Sequence, residues 1–160
     1  MLYLYFKLLF NMESEVLYVK KILKYLLKEF ILFLIGGFAY YMTEILYRGY
    51  SHYSMFILGG LCFCIIGELN QVYSWDMAFI SQMFLSSIII TVLEFITGCI
   101  VNLLLNFHVW DYSHMPYNVL GQICLPFTVI WFFFSIIPIV LDDWIRYWFF
   151  GERKPKYKIF

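Results

Sequence analysis

Positive charge is almost missing from the middle of this 160-residue chain: between Lys28 and Arg146 the only lysine or arginine is Arg48. Charged residues make up 14% of the sequence and hydrophobic ones 63%, and the mean hydropathy is +0.78. A water-soluble domain of this length needs more surface charge, so the composition excludes that class and leaves a chain covered by lipid. Other absences narrow the chemistry. There is no G-x-x-x-x-G-K-[ST] loop, which excludes ATP hydrolysis by that route, and no G-x-S-x-G or H-E-x-x-H motif. The cysteines Cys62, Cys64, Cys99 and Cys124 form no C-x-x-C and read as small apolar residues rather than disulfide partners. Basic residues only flank apolar runs, so nucleic-acid binding is not expected. Met1–Phe10 contains Lys7 and leads to no small-residue cleavage site, so no cleavable signal peptide is expected.

What is present is a set of apolar runs. They predict an all-α polytopic membrane protein with four transmembrane helices, at about Phe30–Tyr47, Ser54–Tyr73 and Met77–Phe107 and within Val119–Leu141. The third run is overlong and must tilt or begin at the interface. In the fourth, Pro126 and Pro138 interrupt any single helix, and Asp142-Asp143 breaks the apolar run. A re-entrant piece around Asn118–Leu125 followed by one span is one reading of it; a single span is the other. The expected organisation is an amphipathic basic segment over residues 1–28, a transmembrane domain over 29–145 and a basic tail over 146–160. Lys20, Lys24 and Lys28 share a helical face that can meet anionic lipid or simply orient the chain. The tail is expected to fix topology and to be partly disordered. Even numbers of crossings put both basic ends on one side, and the positive-inside rule makes that side cytoplasmic. Trp75, Trp144 and Trp148 then fit an inner aromatic belt and Trp110 an outer one.

Two segments match without a gap at an offset of 62 residues. Tyr50-Ser51-His52, Leu58-Gly59 and Cys62 correspond to Tyr112-Ser113-His114, Leu120-Gly121 and Cys124. Each follows an apolar run holding a carboxylate, Glu44 or Glu94. The match predicts two tandem helix pairs related by a pseudo-two-fold axis along the membrane normal, with a shared site between the halves.

Polar residues inside the spans are the candidate site. Gly37, Tyr40, Tyr41, Glu44 and Arg48 fall on one stripe, and Glu44 and Arg48 are spaced to pair. A charge at mid-membrane costs about 2.5–3.5 kcal/mol on insertion scales, which favours an ion pair facing the bundle. Gly60, Cys64, Glu68 and Gln71 share a second face. Ser87, Thr91, Glu94, Gly98 and Asn102 form a third. These groups either lock helices by hydrogen bonds, line a polar route or do catalysis. At the outer face, His52, His108, Asp111, His114 and Asn118 cluster, with spacing too irregular for a zinc motif. No metal or cofactor is expected there, and loop capping or aromatic packing is the plainer role. Gly36-Gly37, Gly59-Gly60, Gly67 and Gly98 are expected to permit close helix approach.

The run Tyr40-x3-Glu44-x3-Arg48-Gly49-Tyr50-Ser51-His52-x-Ser54-Met55, followed by Gly59-Gly60, resembles the start of a bacterial family called Putative ABC-transporter type IV, or CmpB-like. Trp110-Asp111-Tyr112-Ser113, Asn118-x2-Gly121-x-Ile123-Cys124 and Trp131 are similar to its second signature. The resemblance covers roughly Leu34–Trp144. It implies a permease-like component of a transporter in the bacterial cell membrane, served by a separate ATPase. In this reading Glu44 and Arg48 hold the outer gate, Glu94 and Asn102 line the route, and Glu68 meets the cytoplasmic end. Short spans enclose little volume, so a homo-oligomer or partner membrane subunits are expected. Two alternatives stand beside it. One is a membrane enzyme acting on a lipid or isoprenoid headgroup at the outer face through Asp111, His52 and His114. The other is a structural or regulatory subunit.

Overall fold

The computed structural model describes residues 2–73 and 77–159, with side chains from Glu15 onward. The expected inner-belt Trp75 and the connection Ser74–Asp76 lie outside them, as do the side chains of the first half of the N-terminal segment. The chain forms two units, residues 1–31 and residues 32–160. The first is helical and exposed over residues 15–27, with Lys28 paired to Glu29 at 3.3 Å.

The architecture is all-helical apart from one small hairpin. The elements are α1 (Leu2–Arg48), α2 (Tyr53–Gly67), α3 (Leu69–Val72), α4 (Phe79–Gly98), a π-helix (Cys99–Leu104), β1 (Asn118–Val119), β2 (Ile123–Cys124), α5 (Leu125–Phe134) and α6 (Ile136–Phe150). Among the described residues, Tyr53–Val72, Phe79–Leu104 and Leu125–Phe150 are the stretches found long and apolar enough to cross a membrane. The chain is a multi-pass helical membrane protein. Its amphipathicity is reversed relative to a soluble helix. Along α4 and the π-helix, Ile80, Phe84, Ile88, Val92, Ile96 and Ile100 recur every fourth residue and are exposed. The opposite face buries Gln82, Ser86, Ser87, Glu94 and Asn102. An apolar stripe of that length left outside needs a lipid solvent.

Close backbone approach sets the α1–α2 contact. A Cβ on Gly37 would lie 2.7 Å from the Phe56 carbonyl oxygen, and one on Gly60 2.7 Å from that of Phe33. Gly36 faces the Phe63 side chain and Gly59 that of Tyr40, so residues 32–48 of α1 run antiparallel to α2. Small residues here let two backbones meet where side chains would hold them apart. α4 packs on α5, and α2 on both α4 and α6. Apolar contacts fill the spaces between: Met55, Leu58, Val101 and Val109 at one end, Leu32, Phe63 and Ile145 at the other, with Ile66, Met83 and Ile139 also packed.

The fourth run departs from expectation. The stretch expected to hold a re-entrant piece, Asn118–Leu125, is not helical before Leu125: Asn118–Val119 pairs with Ile123–Cys124 as an antiparallel hairpin. Its turn has positive φ at Leu120 (52°) and Gly121 (70°), the sign that the tightest hairpin turns require. The helical part begins later than expected, at Leu125, and runs to Phe150. Pro126 sits in the first turn of α5, where a missing N–H does no harm. Pro138 does leave a mark, because the regular helix is interrupted at Ser135, three residues before it, and resumes as α6. Asp142-Asp143 does not end the helix but lies buried within it.

The matched segments also differ. Residues 53–62 belong to α2, whereas residues 115–124 form a turn and the hairpin. His52 caps α2 because the Ser54 N–H donates to its Nδ1, at 3.3 Å. At the corresponding position stands Pro116, which has no N–H to be capped. The expected local equivalence therefore fails at the start of the second copy.

Candidate functional site

At the end of the bundle where α1 stops and α2 begins, one hydrogen-bonded network joins several elements. Arg48, in the last turn of α1, pairs with Glu44 one turn earlier. The Ser51 hydroxyl donates to the same Glu44 oxygen at 3.1 Å. The guanidinium also donates to the Val109 carbonyl at 2.8 Å and lies over the Tyr50 ring. The Val109 N–H in turn donates to Asn102 Oδ1 at 2.7 Å. Asn102 Nδ2 donates to the Trp110 carbonyl and to Gln122 Oε1, and the Trp110 indole N–H donates to the Gln122 carbonyl at 2.9 Å. Trp110 is thus held inside the loop rather than serving only as a belt residue. The π-helix makes this possible. Its wider turn changes the facing of Asn102 at the point where α4 gives way to the loop, and such turns gather at functional positions.

Glu94, one helical stretch below, is 2% exposed. It accepts from the Tyr112 hydroxyl at 3.0 Å and from the Trp131 indole N–H at 2.9 Å. Around these, Tyr112 stacks on Phe127 with centroids 4.6 Å apart, and Tyr40 meets Trp131 edge-on at 6.1 Å. The carboxylate is ringed by aromatics, and its bonds come from neutral donors on the loop and α5. Burial pushes the Tyr112 phenol above its ordinary range, and the Glu94 charge adds to the effect.

The loop residues serve the loop. His52 caps α2 and its ring lies 5.4 Å from that of Phe107. Asp111 accepts from the N–H and hydroxyl of Ser113, at 2.8 and 2.9 Å, and these bonds draw its carboxyl below the usual range. Asn118 donates to the Ser113 and Met115 carbonyls and accepts from the Gly121 N–H. His108 and His114 are exposed. Among the described residues, no group of three or more His, Cys, Asp or Glu side chains is arranged to hold a metal ion.

Glu68 lies elsewhere, at the opposite end, in a cluster that sequence reasoning passed over. Arg146 is buried in α6, not in the tail. It bonds Asp142 through Nε at 2.5 Å and pairs with Glu68 at 3.2 Å and Glu152 at 3.9 Å. Asp143 accepts from Asn70 at 2.7 Å and from the Tyr157 hydroxyl at 3.1 Å. Gly67 gives room for the Asp142 carboxylate. The available signal was the Asp142-x3-Arg146 spacing, the same i,i+4 pattern as Glu44-x3-Arg48. The tail is not loose either: Pro155 is buried and Tyr157 packs on Phe79.

Of the sequence-predicted residues, the fold joins Glu44, Arg48 and Asn102 in one network and sets Glu94 beside it through the Trp110–Tyr112 loop. It separates Glu68 from them. Trp131, Tyr112 and Gln122 complete the arrangement.

These features define a polytopic helical membrane protein with charged and amide side chains buried between its spans. Residues 30–150 match the sequence profile of the family described as Putative ABC-transporter type IV, so the chain belongs to that family. No curated protein and no solved structure matches it.

Proposed function

We propose that this chain is a permease-like membrane subunit of a bacterial transport system, with a polar intramembrane site centred on Glu94. In this reading α1 from Leu32 supplies a fourth crossing and both termini are cytoplasmic. The Glu44–Arg48 pair and the loop carrying Asp111 then lie at the outer face. The small bundle works as a homo-oligomer or with partner membrane subunits, and a separate ATPase supplies energy.

The observation that supports it best is the partnering of Glu94. A helix lock needs only a neutral amide. A carboxylate at membrane depth that is bonded by a phenol and an indole keeps a net negative charge whenever it is ionised. Such groups commonly mark ion or proton routes. The purely structural reading is favoured by one fact, that both Glu94 oxygens already have donors from within the chain. The enzyme reading has less support, since His52 and Asp111 are engaged in shaping their own loops.

Glu94→Cys in a variant lacking the native cysteines separates these readings. In intact cells, small cationic and anionic thiosulfonate reagents should reach and modify Cys at this position, which a water-filled route allows and a sealed helix contact does not. Absence of reaction with either reagent, with normal reaction in denaturant, would leave Glu94 as a structural residue.

A further inference from the structure

After α6 the chain turns at Gly151 and runs back, extended, across the end of the bundle. The Phe79 N–H, at the start of α4, donates to the Lys158 carbonyl at 2.7 Å. It is one of the helix N–H groups without an intrahelical partner, so the tail supplies an acceptor the helix lacks. Pro155 is buried. The Tyr157 ring packs 5.2 Å from that of Phe79, and its hydroxyl donates to Asp143. Extended chain alternates its side chains, so pinning Pro155 and Tyr157 inward turns their neighbours outward. Lys154, Lys156 and Lys158 are accordingly exposed, as is Arg153. The one acidic residue of the segment, Glu152, is turned the other way: it accepts from Gln71 at 3.0 Å and lies 3.9 Å from Arg146. Charge is therefore sorted across the strap, with cations alone on its outer side.

The strap starts where α6 leaves Trp148 (65% exposed) and Phe149 (76% exposed) at the surface. Aromatic residues at the end of a spanning helix mark the level of the lipid headgroups. A basic flank that only orients a protein needs no fixed conformation. This one is held at both a ring contact and a backbone bond, with its lysines presented as a comb.

We propose that Gly151–Ile159 is a binding strap for anionic phospholipid headgroups, recognised by Arg153, Lys154, Lys156 and Lys158 beside the Trp148–Phe149 anchor. The surface chosen is that of the membrane itself, because the aromatic anchor is continuous with the cationic face. Through Tyr157 and Asp143, headgroup binding then reinforces the buried cluster around Arg146.

The full-length protein released from mixed phosphatidylglycerol and phosphatidylcholine discs into native mass spectrometry reads the retained lipid. The wild type should retain phosphatidylglycerol in preference to phosphatidylcholine. Near a membrane each cation is worth about fivefold in binding, so Lys154→Gln, Lys156→Gln and Lys158→Gln together should lower that preference at least tenfold. The corresponding triple Lys→Arg variant should keep it. Should the glutamine variant not fold, the wild type itself gives the answer: raising salt to about 1 M, where screening reaches about 3 Å, should abolish the preference. Equal retention of both lipids by the wild type, or a preference that survives the loss of the lysines or the added salt, overturns the proposal. So does full competition by millimolar inorganic phosphate, which would make the strap a site for free anions.

Discussion

Arg146 donates through Nε to Asp142, one turn earlier on α6, and the two side chains are 1% and 0% exposed. The pair is sealed between α2 and α6, where Gly67 clears the space for the carboxylate. Removing one partner leaves a buried charge with its compensation gone, at about 3–5 kcal/mol. Arg146→Met and Asp142→Leu should each lower the unfolding temperature in detergent strongly. The double variant should recover much of the loss. Equal and additive losses would show that the pair is not coupled.

Glu44 and Arg48 should behave differently, because Arg48 also reaches Val109 and so ties α1 to the loop. Arg48→Ala is expected to be more damaging than Glu44→Ala, and the double change milder than the sum of the singles. A double-mutant cycle on thermal stability measures this; a coupling of zero would mean that the contact contributes nothing.

Trp131→Phe and Tyr112→Phe each take one donor from Glu94. A hydrogen bond to a charged group is worth about 1.5–3 kcal/mol, so each variant should lose stability in that range. Glu94→Gln should lose a similar amount, since its NH2 would face one of the two donors. Chemical denaturation is the measurement, and an unchanged midpoint in all three variants would contradict the observed bonding.

Gly60→Ala places a methyl against both the ring and the carbonyl of Phe33, and the carbonyl cannot give way without moving α1. Forcing a methyl into packed structure typically costs about 1–3 kcal/mol. Ala39→Leu, on an exposed stretch of α1, is the control and should be neutral. Similar melting temperatures for the two variants would argue against the close crossing of α1 and α2.

The strap should loosen in alkali. Burial raises the Tyr157 phenol above its ordinary value, and the Asp143 carboxylate beside it adds to the rise. A raised value in the docked form means that docking is fully supported below the free tyrosine value of about 10 and weakens as pH climbs beyond it. A spin label at Ile159→Cys in a cysteine-free variant should be immobile at neutral pH and gain mobility above about pH 10. Tyr157→Phe should remove the pH dependence. A label equally mobile at both pH values in the unsubstituted strap would contradict docking.

The helices were legible because lipid leaves a period in the sequence. The polar positions Ser87, Glu94, Gly98 and Asn102 turn inward as their spacing requires, and Gly36, Gly37, Gly59 and Gly60 each make room for an aromatic residue of the facing helix. The hairpin was not legible, because its sequence matches part of α2 at Leu58-Gly59 and Cys62. What separates the copies is the polar pair Asn118 and Gln122, where the first copy has Phe56 and Gly60: Asn118 accepts from the Gly121 N–H and Gln122 bonds Asn102, so both hold the turn. The Arg146 cluster was missed for another reason. A charge near the end of an apolar run, followed by lysines, has the composition of a flank. Only the return of the tail through Tyr157, and the position of Gly67 against Asp142, show that α6 carries the charge inside. Glu94 could be picked out by its polarity, but its donors could not, since tryptophan and tyrosine are abundant here and only the fold selects Trp131 and Tyr112.

The π-helix at Cys99–Leu104 has a consequence for how this chain tolerates changes in length. A π-turn takes up more residues per turn than an α-turn, so it behaves as a stored insertion within an otherwise regular helix. Deleting one residue there would let α4 continue as an ordinary helix, with every hydrogen bond still made. Asn102 would then be swung by about 100° around the axis, away from Val109, Trp110 and Gln122. The helix would survive while the loop lost its anchor. Relatives of this protein should therefore vary in length beyond Leu104, or before Phe79, far more readily than within those few residues.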